Sequence, residues 1–400
     1  MIALSETTMP LHMRRVEFDP APELAAARDE ERVKRIKTVF GDDAWLVTRF
    51  ADIREVLGDH ERFKVAPQGV ARLPGSPPMT EEQKAQVRAG NLLGVDPPEH
   101  TRLRRMLTAE FTIRRMRRLE PRIQSIVDDH LDAMEAAGSP TDLVPAFALP
   151  IPSLVICELL GVPYEDREGF QRRTGRMLDM TAPGEDRLKA QFEQRAYMVD
   201  LVARLQADPG DDLLGMLVRE HGDDLSADEL VGIGGLLLFA GHETTSNMLS
   251  LGTLALLRHP EQLALLKQEP ERIDATVEEL LRWLSIVNNG TTKLTTEEVE
   301  VGGQVIPAGE LVICSLPAAN RDPGFLPDAD RFDLTRGAPG HLAFGHGVHH
   351  CIGAPLARME MRIAFPALFR RFPDLHAVED GADFRTFSIV YGLSSLKVAW

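Results

Sequence analysis

Phe344-Gly-His-Gly-Val-His-His-Cys-Ile-Gly353 is the stretch on which the reading of the chain turns. Cys351 stands among glycines at 345, 347 and 353, and a helix is predicted to open behind it near Pro355. Glycine lets backbone approach a flat ligand closely and adopt positive φ. Backbone N–H groups ahead of a helix can donate to a sulfur anion, and the dipole at the helix N-terminus favours that anion. A thiolate held in this way can ligate haem iron. The ordinary fate of a lone cysteine is to act as a small buried hydrophobe. That fits Cys157 in Val-Ile-Cys and Cys314 in Val-Ile-Cys-Ser, but Cys351 has glycine and histidine neighbours rather than core residues.

A second informative stretch is Ala240-Gly-His-Glu-Thr-Thr245. Upstream, Ser226-Ala-Asp-Glu229 has the capping-box pattern, and the helix it opens is expected to run to about His259, where Pro260 stops it, a length of about 50 Å. Within it Glu243 and Thr244 form an acid–alcohol pair. The hydroxyl can bend back to a carbonyl one turn earlier, loosening the helix and leaving room for water. The carboxylate can relay protons. The plainer alternative is a helix interior with a few polar residues. Glu279-Leu-Leu-Arg282 places both charges on one helix face, and alone would read as a surface ion pair worth little. In Asp96-Pro-Pro-Glu-His-Thr-Arg-Leu-Arg-Arg105, His100 and Arg104 lie four apart and share a helix face.

The composition sets the frame. In 400 residues, 44% hydrophobic and 26% charged are ordinary globular values, which excludes a disordered or fibrous chain. Lys+Arg 45 against Asp+Glu 61 leaves a net charge of −16, so nucleic acid is not an expected partner. Three cysteines without a CxxC pair argue against a zinc ribbon or a disulfide scaffold and for a reducing, cytoplasmic setting. Residues 1–20 hold no signal-like apolar stretch. The longest strongly apolar run, 231–241, is far short of the roughly 18 residues a membrane span needs, so no membrane association is expected. Helical patterns cover residues 101–137, 153–160, 166–180, 187–206 and 354–372, with a short helix over 79–89 after a Pro/Gly-rich loop. Short β-like pieces fall at 44–48, 299–301, 304–306, 311–315, 387–391 and 396–398. The balance is mainly α with a small β region.

Together these segments resemble the cytochrome P450 family, and the likeness runs from Trp45-Leu-Val-Thr-Arg-Phe through Ala319-Asn-Arg-Asp-Pro323 to Tyr391-Gly-Leu. Phe344, Gly347, His349, Cys351 and Gly353 occupy the defining positions of its haem loop, Phe-x-x-Gly-x-His/Arg-x-Cys-x-Gly, with Gly345 inside it. The resemblance makes Cys351 the axial iron ligand and haem b the cofactor. Ala240, Gly241, Glu243 and Thr244 match the oxygen-activation segment, Ala/Gly-Gly-x-Asp/Glu-Thr. Glu279 and Arg282 match the buried structural Glu-x-x-Arg pair, which a third arginine completes, here Arg331 or Arg336. His100, Arg104 and His349 correspond to partners of the haem propionates in soluble bacterial members. Lys293 stands where bacterial relatives often carry arginine. It either neutralises a propionate without arginine's planar fork or points elsewhere.

The resemblance also implies one triangular-prism domain over 1–400, with 1–20 a loosely ordered arm, in place of the two or three domains that length alone would give. It implies a soluble bacterial-type monooxygenase that uses O₂ and electrons from a ferredoxin and its reductase to hydroxylate or epoxidise a fairly large hydrophobic small molecule such as a polyketide, terpenoid, steroid or xenobiotic. The alternatives are a non-catalytic thiolate-haem sensor and the same fold running peroxygenase or dehydratase chemistry. Expected substrate contacts are a lid within residues 65–93, then Leu236, Leu237 and Phe239, Val287, Asn288 and Asn289, and Ile389 and Val390. The two amides would meet substrate oxygens or face solvent. Between Thr101 and Arg122 eight arginines face two glutamates. This patch, with Arg114, Arg115, Arg117 and Arg118 among the contacts, is the expected docking face for an acidic ferredoxin.

Overall fold

Ser226 Oγ accepts from the Glu229 N–H at 3.1 Å, and Glu229 Oε2 accepts from the Ser226 N–H at 2.8 Å. The capping box thus forms as the sequence predicts and opens the helix Ala227–Arg258. It runs 32 residues, about 48 Å, and stops before the helix Pro260–Gln268. From Thr245 to Leu256 every position is buried, as expected of a helix that other elements enclose. Pro150–Leu160, Gly184–Ala207 and Ala354–Arg371 pack around it. The computed structural model describes residues 9–66, 79–337 and 340–400, and of Ile113 and Arg114 the backbone alone.

The helical pattern over 101–137 divides into Glu99–Thr108 and Ile113–Ala137. Thr112 makes the break by capping the second helix, its hydroxyl accepting from the Arg115 N–H at 3.4 Å. Pro121 sits inside that helix. An interior proline costs about 3 kcal/mol. Fully burying one large apolar side chain contributes about 1.5–3 kcal/mol, and Met116, Ile123, Ile126, Val127 and Leu131 are all buried on the core side.

The main sheet has the strand order Val33–Lys37, Asp43–Val47, Leu311–Cys314, Thr291–Thr295, Phe63–Val65. Only the pairing of Asp43–Val47 with Leu311–Cys314 is parallel. A smaller sheet joins His376–Phe384, Leu393–Ala399 and Thr141–Asp142. Residues 387–391, expected as a strand, make only the isolated bridges Asp179↔Ser388 and Val287↔Val390. Their backbone bonds go to several segments: Phe387 O to the Met180 N–H, the Ile389 N–H to Leu178 O, and the Tyr391 N–H to Ile286 O. A stretch that serves so many partners cannot hold one ladder.

Residues 1–8, in the arm expected to be loose, and 67–78, in the expected lid, lie outside the described residues. From Met9 onward the arm is pinned, because the Arg15 guanidinium donates to Asn288 Oδ1 at 3.0 Å, Leu284 O at 3.1 Å and Ser285 O at 2.6 Å. A buried guanidinium requires such acceptors. The whole is mainly α with a small β region, in one domain.

Candidate active site

The segment before Cys351 is a tight loop. The Gly345 N–H bonds Leu342 O at 2.8 Å, and the Cys351 N–H bonds Phe344 O at 2.9 Å. At Gly347 φ is +71°, and a Cβ would lie 2.3 Å from the Leu57 carbonyl oxygen, so the loop requires glycine there. The N–H groups of Gly353 and Ala354, at the start of the helix Ala354–Arg371, lie on the side of the Cys351 sulfur and favour its anion. Cys351 is exposed, whereas Cys157 and Cys314 are buried, and burial pushes both of those thiols up to about 12. Close protein atoms also push the Cys351 thiol up, against the Gly353 N–H, Arg104 and the Ala354 N–H. Coordination to iron would deprotonate it outright.

Beside this loop lies a set of basic groups. The His100 and His349 rings are 4.3 Å apart, and Lys293 and His100 are buried. Arg104 is close enough for its charge to act on both Cys351 and His349. Burial, with Lys293, His100 and Arg104 nearby, holds the His349 imidazole down at about 3. The facing carboxylate is Asp96, 4.0 Å from His349 Nε2 and already accepting from the Val65 N–H at 3.0 Å. His349 Nε2 is buried without a hydrogen-bond partner. Such a cluster calls for an anionic acceptor. The two propionates of a haem supply that charge beside the thiolate donor, so the residues fit the group. Lys293 belongs to this cluster.

On the central helix the Thr244 hydroxyl donates to the Ala240 carbonyl at 2.7 Å, the bend toward the preceding turn that the sequence predicts. Glu243 is buried, and its Oε2 accepts from Arg385 Nη1 at 3.0 Å and from Asn247 Nδ2 at 3.3 Å. Gly241 meets the helix behind it, since a Cβ there would lie 2.7 Å from Ile156 Cδ1.

Glu279 and Arg282 are wholly buried and bonded in a fork, Nε to Oε2 at 2.7 Å and Nη2 to Oε1 at 2.8 Å. The remaining guanidinium hydrogens go to the carbonyls of Asn320 and Ala329 at 2.7 Å and of Arg331 at 3.2 Å. Of the two candidate third arginines, Arg336 brings its side chain to Glu279, with Nε 4.0 Å from Oε1. Arg331 contributes only its backbone carbonyl.

The expected substrate residues are partly brought together. Val287 bridges Val390, and the Asn288 N–H bonds Ile389 O at 3.0 Å. Leu236, Leu237 and Phe239 join the main core cluster that also holds Ile389 and Val390. The Asn288 amide meets neither substrate nor solvent as expected. It is buried, its Oδ1 accepting from Arg15 and its Nδ2 donating to the Met13 carbonyl at 2.8 Å. On the basic patch Arg115 pairs with buried Glu110 at 2.7 Å. Arg117 and Arg118 are exposed, and the Arg118 charge also reaches Glu110. The Arg114 side chain lies outside them.

Several residues went unassigned in the sequence. Asn247 follows Glu243 by one helical turn, a spacing that signals contact. Arg358 stacks on the Phe344 ring at 4.6 Å and pairs with Glu278 at 2.5 Å. His341 also meets Glu278, at 3.2 Å. Burial opposes the Glu278 charge, yet Arg358 and His341 hold its carboxyl down at about 2. Arg358 lies in the second turn of the helix that follows the cysteine loop. Nothing local marks Arg385.

The family model "Cytochrome P450" matches residues 185–382. Cytochrome P450 FAS1 of Rhodococcoides fascians is 49% identical over 394 residues, covering 98% of both chains. Vitamin D(3) 25-hydroxylase of Pseudonocardia autotrophica is 43% identical, over 95% of this chain and 93% of that one. Among solved structures, P450 StaH from glycopeptide antibiotic A47934 biosynthesis superposes with a TM-score of 0.86 at 46% identity, covering 98% of this chain and all of the other. With the thiolate loop, the anion-seeking cluster and the acid–alcohol pair set on the same scaffold, the chain belongs to the cytochrome P450 family.

Proposed function

We propose that this P450 hydroxylates or epoxidises a fairly large hydrophobic small molecule, of polyketide, terpenoid, steroid or xenobiotic kind, with two electrons from a ferredoxin and its reductase, in the cytoplasm. The class is that of its relatives: P450 monooxygenases are oxidoreductases that carry haem b on a thiolate. No helix among the described residues is long and apolar enough to cross a membrane. The observation that carries the reading is Cys351, exposed in its glycine loop with the Gly353 and Ala354 N–H groups favouring its thiolate, beside buried His100 and Lys293 and half-buried His349.

Haem held by a thiolate activates O₂ for insertion of one oxygen atom into a C–H or C=C bond. This chain's residues bind, orient and supply protons. The Gly353 and Ala354 N–H groups favour the Cys351 thiolate, and Arg358 fixes the Phe344 ring. His100, Arg104, Lys293 and His349 would hold the haem propionates. The Thr244 hydroxyl holds a water at the oxygen site. Glu243 carries protons inward from the partly exposed Arg385 side of the molecule. Leu236, Leu237, Phe239, Val287, Ile389 and Val390 supply apolar walls that orient the substrate and exclude water, with Asn289 as the remaining polar contact. The intact acid–alcohol pair favours oxygen activation over a sensor or a peroxygenase.

The test is a low-spin to high-spin titration of the holoprotein against a library of natural products and drugs, followed by turnover of each hit with a surrogate ferredoxin and its reductase. NAD(P)H-dependent hydroxylated or epoxidised product is expected. Thr244→Ala should keep consuming NAD(P)H while releasing more peroxide and less product, Glu243→Gln should turn over more slowly, and Thr245→Ala should stay near wild type. Product formed only from added peroxide, or no product from any hit, would contradict the proposal.

A further inference from the structure

We infer that Arg385 is a positioning residue for Glu243, and that the turn carrying Arg385 ties the carboxylate's orientation to what fills the substrate pocket. The inference rests on the reading of Glu243 as the proton carrier.

Glu243 and Asn247 are almost fully buried, whereas the Arg385 side chain is 24% exposed. Arg385 therefore links the carboxylate to solvent through one 3.0 Å bond. The connection between the strands His376–Phe384 and Leu393–Ala399 is pressed onto the central helix at its far end as well. A Cβ on Gly392 would lie 1.5 Å from Asn247 Oδ1, so only glycine permits this approach. The two ends of the connection are joined, the Arg385 N–H bonding Gly392 O at 2.9 Å. One short segment thus contacts both Glu243 and the side chain that shares its Oε2.

On the reading proposed above, the middle of the same segment also supplies pocket wall. Ile389 and Val390 meet Asn288 and Val287, and Phe387 and Ile389 bond the chain around Leu178 and Met180, at the end of the helix Arg167–Leu178. A molecule that displaces Ile389 or Val390 pulls on the two ends that hold Glu243 and Asn247. Occupancy and carboxylate orientation are then coupled through one continuous piece of backbone, a contact chain both sites can bias.

The experiment uses the reconstituted holoenzyme with a surrogate ferredoxin and its reductase, without organic substrate, and measures NADPH consumed per O₂. Peroxide release consumes one NADPH, as O₂ + NADPH + H⁺ gives H₂O₂ + NADP⁺. Reduction to water consumes two, as O₂ + 2 NADPH + 2 H⁺ gives 2 H₂O + 2 NADP⁺. Peroxide escapes where proton delivery at the O–O bond fails. Arg385→Gln and Arg385→Met are expected to lower the water-forming rate about ten-fold, since small misplacements of reacting groups cost up to roughly 10²-fold. Arg385→Lys should keep most of it. In a Glu243→Gln background Arg385→Gln should add nothing, because residues acting through one another are not additive.

A wild-type ratio in Arg385→Gln and Arg385→Met overturns the inference, as does an equal further loss in the Glu243→Gln background. If Glu243→Gln itself keeps both the wild-type water-forming rate and the wild-type ratio, the reading of Glu243 fails and takes this one with it. Loss in Glu243→Gln without loss in the Arg385 variants overturns this inference alone. A readout independent of turnover is amide hydrogen exchange of the holoenzyme with and without 4-phenylimidazole, a flat apolar ligand for haem iron. Residues 387–390 and 243–247 should change together in the wild type, and only 387–390 in Arg385→Gln. An equal change at 243–247 in both proteins refutes the tie.

Discussion

Removing one member of the Glu279/Arg282 pair should cost more than any exposed ion pair in the molecule. Both side chains are wholly buried, so Glu279→Ala leaves a guanidinium with three backbone carbonyls and no counter-charge. Truncating one partner of a buried pair costs about 3–5 kcal/mol, and at about 1.4 kcal/mol per decade that is a roughly 10²- to 10⁴-fold shift in the unfolding constant. A further loss comes from the Asp333 N–H, which donates to Glu279 Oε1 at 2.9 Å. An orphaned buried donor adds about 1–3 kcal/mol. Against a typical total of about 5–15 kcal/mol, either truncation removes much of the margin. The damage is also placed where it matters. Arg282 ties down Asn320, whose Oδ1 accepts from the Leu342 N–H at 2.7 Å, just before the cysteine loop. Denaturation can be followed by haem absorbance and by fluorescence of Trp283, whose indole N–H bonds Asp330 O at 2.8 Å. Glu279→Ala and Arg282→Ala should each unfold at much lower urea and carry little haem. Full haem loading with both variants within about 0.5 kcal/mol of wild type, the range of surface substitutions, would refute the reasoning.

Arg117→Glu and Arg118→Glu should slow ferredoxin-driven reduction about ten-fold or more at low salt and leave substrate affinity alone, with the difference fading as salt rises. Stopped-flow reduction rates that ignore both salt and these reversals would place docking elsewhere. Glu360 is buried with an unpartnered Oε2, and burial holds its carboxyl well above the ordinary range. The folded state then binds this proton more tightly than the unfolded one, so stability is lost as pH rises from the usual glutamate range toward the raised value. Glu360→Gln should match wild type in melting temperature at acid pH and exceed it at neutral and alkaline pH. Parallel melting curves across that range would contradict the assignment.

The chemistry-bearing motifs were legible because each is local. The capping box at Ser226, the i, i+3 fork at Glu279 and Arg282, and the Thr244 bend each depend on residues within one helical turn. What the sequence hid is long-range. Arg385 meets Glu243 across 142 positions, and Arg15 takes the Asn288 amide across 273, so an amide read as a substrate contact became a structural acceptor. Val33–Lys37 carries three basic residues in five and becomes a strand only through its ladder with Asp43–Val47. Residues 387–391 show the reverse, an apolar β-like stretch whose hydrogen bonds are drawn off to separate partners. The break between Glu99–Thr108 and Ile113–Ala137 was marked by Thr112, a good N-cap, but continuous helical periodicity on both sides concealed it.

The central claim is that Cys351 is the thiolate that holds the haem iron. Its most direct test is the absorption spectrum of the reduced protein under carbon monoxide, for the wild type and for Cys351→Ser, Cys157→Ser and Cys314→Ser. The wild type and the two variants of buried cysteines should show the red-shifted Soret band of a thiolate-ligated haem, and Cys351→Ser should lose it. An unshifted spectrum in the wild type, or a red-shifted band that survives in Cys351→Ser, would contradict the account.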